Sequence, residues 1–274
     1  MDNTRQSITS HLRELAYRIK LIFICAVAGF GVAYFFREEL LQILVMPLAP
    51  AMNNNPQLHF TSPVEPFFTY LRLSLRCGLI LAMPGIIYNI WAFIGPGLYA
   101  REKKFVLSVT VLGVVFFSLG VLFAYYVVFP YGFKFLIGFA QSSPGNIRLS
   151  SHISEFIFQV YGVTPVLADG SGSVSISPTI MMGDYLKLIL NLLIAFGLVF
   201  ELPLVIYFLA TSGIVTTSGL MKFFRYFVVI AFTLSAILTP PDVITQVMMA
   251  VPLIIMYLAS TFVAWIVIRA RKKL

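Results

Sequence analysis

The chain has 274 residues, of which 59% are hydrophobic and only 11% are charged. A soluble domain carries about 25% charged residues, so this composition excludes a soluble globular protein and indicates an integral membrane protein. The formal net charge of +8 is compatible with nucleic-acid binding, but the positions of the basic residues assign it to membrane topology instead.

Apolar runs along the chain predict six transmembrane helices, because a helix needs about 20 residues to cross the hydrocarbon core. They cover residues 19–36, 67–94, 105–129, 187–209, 226–239 and 243–268. The fifth run would reach only about 21 Å before a proline pair, and Pro252 interrupts the sixth. We therefore predict an all-α, polytopic membrane protein with one domain, 1–274, whose last two spans are short or interrupted.

The basic residues predict the orientation of these spans, since Lys and Arg concentrate in cytoplasmic loops. The N-terminus, the connections 95–104 and 210–225 and the C-terminal tail together hold 13 of the 19 Lys and Arg, and the opposite connections hold three. Both termini are therefore predicted to be cytoplasmic. Two longer segments, 37–66 and 130–186, are predicted to lie on the non-cytoplasmic side.

Several kinds of chemistry lack their usual residues. The sequence contains neither GxxxxGK[ST] nor HExxH, and its three histidines are scattered. Nucleotide hydrolysis and zinc-dependent hydrolysis depend on those patterns. We therefore predict a protein that is not an enzyme and that uses no metal and no cofactor.

Two carboxylates are predicted to lie near the cytoplasmic surface. Glu14 shares one helical face with His11 and Arg18, and Glu102 sits in the basic stretch GPGLYAREKK. One interpretation is ordinary surface chemistry, namely an i,i+4 ion pair and a neutralised basic cluster. The other is that both carboxylates bind a cationic ligand, for which the planar arginine side chain is best suited. Spacing alone does not choose between them.

Seven stretches of the chain, in order, resemble the TatC subunit of the twin-arginine protein translocase. They cover nearly the whole sequence and are ITSHLRELAYRIK, MPLAP, TSPVEPFFTYLRLSL, IYNIWAFIGPGLYAREKK, YYVVFP, FGLVFELP and LTPPDVITQ. The resemblance implies a receptor for twin-arginine signal peptides in a bacterial-type inner membrane. It also implies a complex that exports folded proteins with the proton-motive force, contains single-span TatA- and TatB-like partners, contacts membrane lipid and self-associates.

The resemblance also implies roles for individual residues. The signal-peptide site of the family falls on six residues of this chain: Glu14, Glu102, Phe93, Leu98, Lys103 and Arg18. Glu201, in an apolar span, matches a polar membrane site near which the single-span partners dock. Three further residues, Pro47, Glu65 and Asp242, match the far-side cap and its turn.

Two features depart from the family pattern. Ala16 stands where the family usually has an arginine, and the segment 141–180 is longer than expected. On the far side, the sequence places Glu65 one heptad before Arg72, with Arg76 one turn further on, so we expect a structural ion pair there. The alternative function is a proton-coupled small-solute transporter using Glu201, and a third possibility is a structural membrane scaffold.

Overall fold

The computed structural model describes residues 2–52, 56–98, 103–142, 158–160, 179–238 and 243–271. The regular structure in these ranges is helical, apart from a single β-bridge between His59 and Met181. The α-helices are α1 (Asp2–Phe35), α2 (Arg37–Val45), α3 (Glu65–Leu98), α4 (Lys103–Phe123), α5 (Phe129–Ser142), α6 (Met182–Phe200), α7 (Leu202–Thr211), α8 (Thr217–Leu238) and α9 (Val243–Arg271). A 3₁₀ helix (Met46–Ala51) follows α2, and a π-helical turn (Ala124–Val128) joins α4 to α5.

Six stretches in the described ranges are long and apolar enough to cross a membrane. They are His11–Phe35, Glu65–Ile94, Val106–Gly138, Met182–Thr211, Thr217–Leu238 and Gln246–Arg269. The prediction of an all-α protein with six spans is confirmed. The third stretch combines α4 with α5, and the fourth combines α6 with α7.

The third helical stretch continues well past its predicted end at residue 129. Pro130 lacks a backbone N–H and would ordinarily stop a helix. Here the π-helical turn Ala124–Val128 directly precedes it, and such turns are wider than α-helical ones. The wider turn accommodates the proline, so α5 runs on to Ser142 through residues that were predicted to form a connection.

The fifth membrane-spanning helix, α8, begins nine residues before the span predicted for it, 226–239. Thr216 caps it, because its side-chain oxygen accepts a hydrogen bond of 3.1 Å from the backbone N–H of Gly219. The added residues include Lys222 and Arg225, so the uncharged part of the helix remains short. In the sixth membrane-spanning helix, α9, Pro252 lies in the interior without ending the helix.

Helices α1 and α3 run antiparallel and approach each other closely at two glycines. A Cβ atom added to Gly29 would collide with the carbonyl oxygen of Gly78, and one added to Gly78 would lie 2.6 Å from the backbone of Phe30. Only 6% of the residues in the apolar window of α1 are buried, so α1 owes its position mainly to this contact. We call the end of the bundle at which α1 begins the amino-terminal end; α3 and α6 begin at the opposite end.

At the opposite end, two tyrosines hold the connection between α1 and α3. The hydroxyl of Tyr185 donates to the carbonyl of Leu44 at 2.8 Å, and that of Tyr125 donates to the carbonyl of Ile43 at 2.7 Å. The 3₁₀ helix that follows contains the buried Pro47 and packs on α5. This end therefore carries a packed layer of short helices over the long ones.

A tight glycine contact of this kind predicts a position-specific effect of substitution. We expect Gly29→Ala to lower the free energy of unfolding by about 1–3 kcal/mol, because its methyl group must displace a backbone carbonyl. Gly31→Ala is the control, since no atom lies within 4 Å of its added Cβ; it should be neutral or stabilising by up to about 1 kcal/mol. Thermal unfolding of the detergent-solubilised variants measures both effects, and equal stabilities would contradict the close packing.

Candidate functional site

At the amino-terminal end, the pairing of α1 with α3 brings the predicted site residues Glu14 and Phe93 into one region. The ring of His11 stacks on Phe93 with a centroid distance of 4.6 Å and an interplanar angle of 23°. Glu14 lies one turn beyond His11 on α1, so the predicted carboxylate is held on the helix that packs beside Phe93. The sequence did not predict that His11 is the partner of this aromatic ring.

The side chains of Glu14 and Arg18 form the expected i,i+4 pair. One guanidinium nitrogen of Arg18 donates to a carboxylate oxygen of Glu14 at 3.4 Å, which is long compared with the 2.7–2.9 Å typical of charged pairs. The side chain of Glu14 is 40% exposed. A carboxylate has about four acceptor positions, and this contact occupies one of them weakly.

A buried amide, which sequence reasoning missed, lies on the seam between α1 and α3. Asn89 is 4% exposed and donates to the carbonyl of Gly85 at 2.8 Å, but its side-chain oxygen is buried without a hydrogen-bond partner among the described residues. The Nε of Arg18 is buried and unpartnered in the same way.

These two unpaired groups lie at the same level of the bundle. Asn89 is one turn from Phe93 on α3, and Arg18 is midway between His11 and Cys25 on α1. The two paired helices therefore each carry a buried unpaired polar atom at this level, a donor on α1 and an acceptor on α3. The sequence did carry a signal for Asn89, because this amide lies four residues after Gly85 and four before Phe93, on the same face of the helix.

The other predicted members of this site lie at or beyond the ends of α3 and α4. α3 continues to Leu98, and α4 begins at Lys103, so the predicted connection 95–104 is reduced to residues 99–102. Glu102 falls in that connection, outside the described residues. The antiparallel pairing puts the end of α3 at the same end of the bundle as Glu14.

Glu201 occupies a break within the fourth span. It lies between α6 and α7, where Pro203 in the first turn of α7 cannot donate a backbone hydrogen bond. One carboxylate oxygen lies 3.3 Å from the position of a Cβ built on Gly113 of α4. The other oxygen is buried without a hydrogen-bond partner among the described residues.

The surroundings of Glu201 are apolar and belong to the amino-terminal half of the bundle. The same built Cβ lies 3.0 Å from Ile87, which places the carboxylate about 9 Å along α3 from Phe93. Nearby, Trp91 and Phe208 meet edge to face at 4.9 Å. A carboxylate inside a membrane-spanning bundle is costly, which makes Glu201 a candidate functional residue.

The opposite end differs from its prediction. Glu65 forms no ion pair with Arg72 or Arg76 within the described structure; both the backbone N–H and the hydroxyl of Thr61 donate to it at 2.8 Å. The expected ion pair is therefore wrong: the loop that leads into α3 supplies the hydrogen bonds to one oxygen of the carboxylate, and neither arginine is within ion-pair distance in the described structure. Asp242, assigned to the turn before α9, lies outside the described residues. No cluster of three potential metal ligands occurs in the described ranges.

The sequence matches one protein family over most of its length. The model of the family described as Sec-independent protein translocase protein (TatC) matches residues 10–252. Three curated relatives carry that name. The chain is 41% identical to the protein of Desulforapulum autotrophicum over 93% of this chain and 83% of that one. It is 35% identical to the protein of Aquifex aeolicus, covering 97% and 98%, and 30% identical to that of Escherichia coli, covering 94% and 87%.

A solved structure has the same fold. The crystal structure of a twin arginine translocase receptor, TatC, superposes with a TM-score of 0.75 at 35% sequence identity, covering 94% of this chain and 99% of that chain. A second crystal structure of this receptor, in DDM, superposes with a TM-score of 0.74. The six-span arrangement described above is thus the arrangement of a known receptor fold.

The pairing of α1 with α3, on which the site depends, predicts a specific disulfide. A Cβ built on Gly85 lies 2.7 Å from the sulfur and 3.3 Å from the Cβ of Cys25, close to disulfide geometry. In a Cys77→Ala background, we expect Gly85→Cys to oxidise with Cys25. The control is Ile90→Cys, whose native side chain is 43% exposed and points about 140° away around the helix. Maleimide labelling after denaturation should find no free thiol in the first variant and two in the second; the reverse would contradict the pairing.

Proposed function

Because this chain belongs to the TatC family of Sec-independent protein translocase proteins, we propose that it is the receptor for twin-arginine signal peptides. In this proposal the amino-terminal end of the bundle faces the cytoplasm, as the distribution of basic residues supports. The chain is then the core subunit of an inner-membrane translocase that exports folded proteins with the proton-motive force.

The state of Glu14 is the observation that carries this proposal. A partly exposed carboxylate that is only weakly engaged by Arg18 keeps most of its acceptor capacity for an incoming cation. Arginine satisfies it best, because its planar side chain donates two parallel hydrogen bonds to one carboxylate. The stacked pair His11 and Phe93 gives this part of α1 a fixed position against α3, so that the carboxylate is presented from a rigid surface.

Two adjacent arginines on a signal peptide require two acceptors. In the proposal Glu14 binds one arginine and Glu102 binds the other, with Leu98, Lys103 and Phe93 in the surrounding surface. In the sequence, only four residues separate the end of α3 from the start of α4, and Glu102 is one of them.

The role proposed for Glu201 is recognition of single-span partner subunits within the membrane. Its unpartnered oxygen, buried between α4 and the break before α7, offers an acceptor to a polar group on another transmembrane helix. An unsatisfied buried acceptor costs about 1–3 kcal/mol, and a partner that supplied a donor would recover that cost. TatA- and TatB-like proteins are the partners that family membership suggests.

Binding of a fluorescent twin-arginine signal peptide to the purified protein tests the receptor proposal. We expect Glu14→Gln and Glu102→Gln each to weaken binding at least tenfold, or about 1.4 kcal/mol, because each removes the charge that pairs with one arginine. A twin-lysine peptide should bind wild type with a similar loss. Glu38→Gln is the control, since its side chain is 69% exposed at the opposite end.

If neither glutamine variant nor the twin-lysine peptide weakened binding, the proposed receptor site would be refuted. If the control variant weakened binding as much as the other two, the effect would be one of overall charge, which also counts against specific carboxylates.

A separate experiment tests the role of Glu201. We expect Glu201→Leu to abolish co-purification of the single-span partner and to leave peptide affinity unchanged, because the two sites are distinct. Asp184→Asn is the control: it removes an exposed carboxylate from the same helical stretch. Full partner recovery with Glu201→Leu would contradict docking, and loss of proton flux without loss of partner would favour the transporter alternative.

A further inference from the structure

Two adjoining grooves run between α3 and α6 at the opposite end of the bundle. The inner groove holds about 150 Å³ and is lined by Arg72, Arg76, Lys187 and the buried Thr69, together with apolar residues. The outer groove holds about 380 Å³, shares Arg72 and Lys187, and opens past Glu65. The site described above uses none of these residues.

Charge is unbalanced along these grooves. No described carboxylate lies within 4 Å of Arg72, Arg76 or Lys187, since the ion pairs in the described structure involve other residues. Glu65, at the mouth, is engaged by Thr61. The remaining carboxylate, Asp184, lines only the outer groove. The inner groove therefore presents three cations and no anion.

The depth of these cations makes the imbalance costly. The span Glu65–Ile94 has 30 residues, about 45 Å of helix, compared with a hydrocarbon core of ~30 Å. If the excess is shared by both ends, Arg72 lies about 3 Å and Arg76 about 9 Å inside the core boundary. Cations at this depth pair with an anion or extend toward the headgroups. Both arginines line one groove that opens at that level.

We propose that the inner groove is a binding site for an anionic phosphate group, supplied by a phospholipid of the adjacent leaflet or by free phosphate. Its volume equals that of about five water molecules, which leaves room for a phosphate but not for a folded partner.

The lining matches what a phosphate requires. Arginine pairs with phosphate oxygens through two parallel hydrogen bonds, and lysine adds a compact charge. Basic pockets between transmembrane helices recognise anionic lipid headgroups in this way. A lipid in the groove would lay its acyl chains along the exposed apolar residues of α3, such as Leu75 and Leu79, whose side chains are 62% and 37% exposed.

Native mass spectrometry of the full-length protein, titrated with phosphatidylglycerol, tests this site. We expect saturable binding of the lipid to wild type, and a rise in apparent Kd of at least about tenfold in Arg76→Gln and in Lys187→Gln. Arg76→Lys, which keeps the charge but loses the two parallel hydrogen bonds, should lose less affinity than Arg76→Gln. Lys134→Gln is the matched control, because Lys134 is an exposed cation of α5 that lines neither groove.

Parallel titrations with inorganic phosphate and with phosphatidylglycerol distinguish the two sources of the bound phosphate group. Inorganic phosphate that binds alone and displaces the lipid would identify a soluble phosphate site of the same chemistry, whereas lipid that resists displacement would identify a lipid site. Equal binding of phosphatidylglycerol by wild type and both glutamine variants would overturn the proposal. So would equal affinity of wild type for zwitterionic phosphatidylcholine. Lys187→Gln changes an exposed residue, so the test survives even if Arg76→Gln does not fold.

Discussion

The close approach of α1 and α3 at Gly29 and Gly78 is the constraint on which the functional end of this molecule depends. In lipid, helix association rests on packing and interhelical polar contacts, since apolar burial offers little advantage there. Small residues let two backbones meet, and here they bring one peptide carbonyl into the space that a side chain would fill. α1 is otherwise largely exposed, so this contact, together with those of Cys25 with Gly85 and His11 with Phe93, fixes where its amino-terminal end lies.

Everything proposed for the amino-terminal end follows from that seam. His11 reaches Phe93, the paired helices carry the buried unpaired groups of Arg18 and Asn89, and Glu14 is left partly exposed with one weak partner. The protein thus separates two kinds of carboxylate. The first, Glu14, is partly exposed one turn inside the span His11–Phe35, where an arginine ligand could reach it from water. The second, at the break before α7, is enclosed by apolar side chains and accessible to a partner within the membrane.

Sequence reasoning predicted the number of spans because long apolar runs have few other solutions. It mispredicted helix ends where a local signal was overridden. Pro130 follows a π-helical turn that accommodates it, and Arg225 bounds an apolar run but not a helix. Residue types and family resemblance identified Glu14 as a candidate. Contacts between helices, such as that of His11 with Phe93, are not encoded in spacing along one helix. Asn89 was missed for the same reason, since burial between two helices gave it its importance.

A double-mutant cycle between receptor and peptide tests whether Glu14 and Glu102 each bind one arginine of the signal peptide. Each peptide arginine would be changed to lysine in combination with Glu14→Gln or Glu102→Gln, and binding free energies would be measured for all pairs. If each glutamate binds one arginine, it should couple with that arginine by about 1.5–3 kcal/mol and be additive with the other. Additivity within about 0.5 kcal/mol for every pair would contradict it, because the carboxylates would then act only through the general charge of the surface.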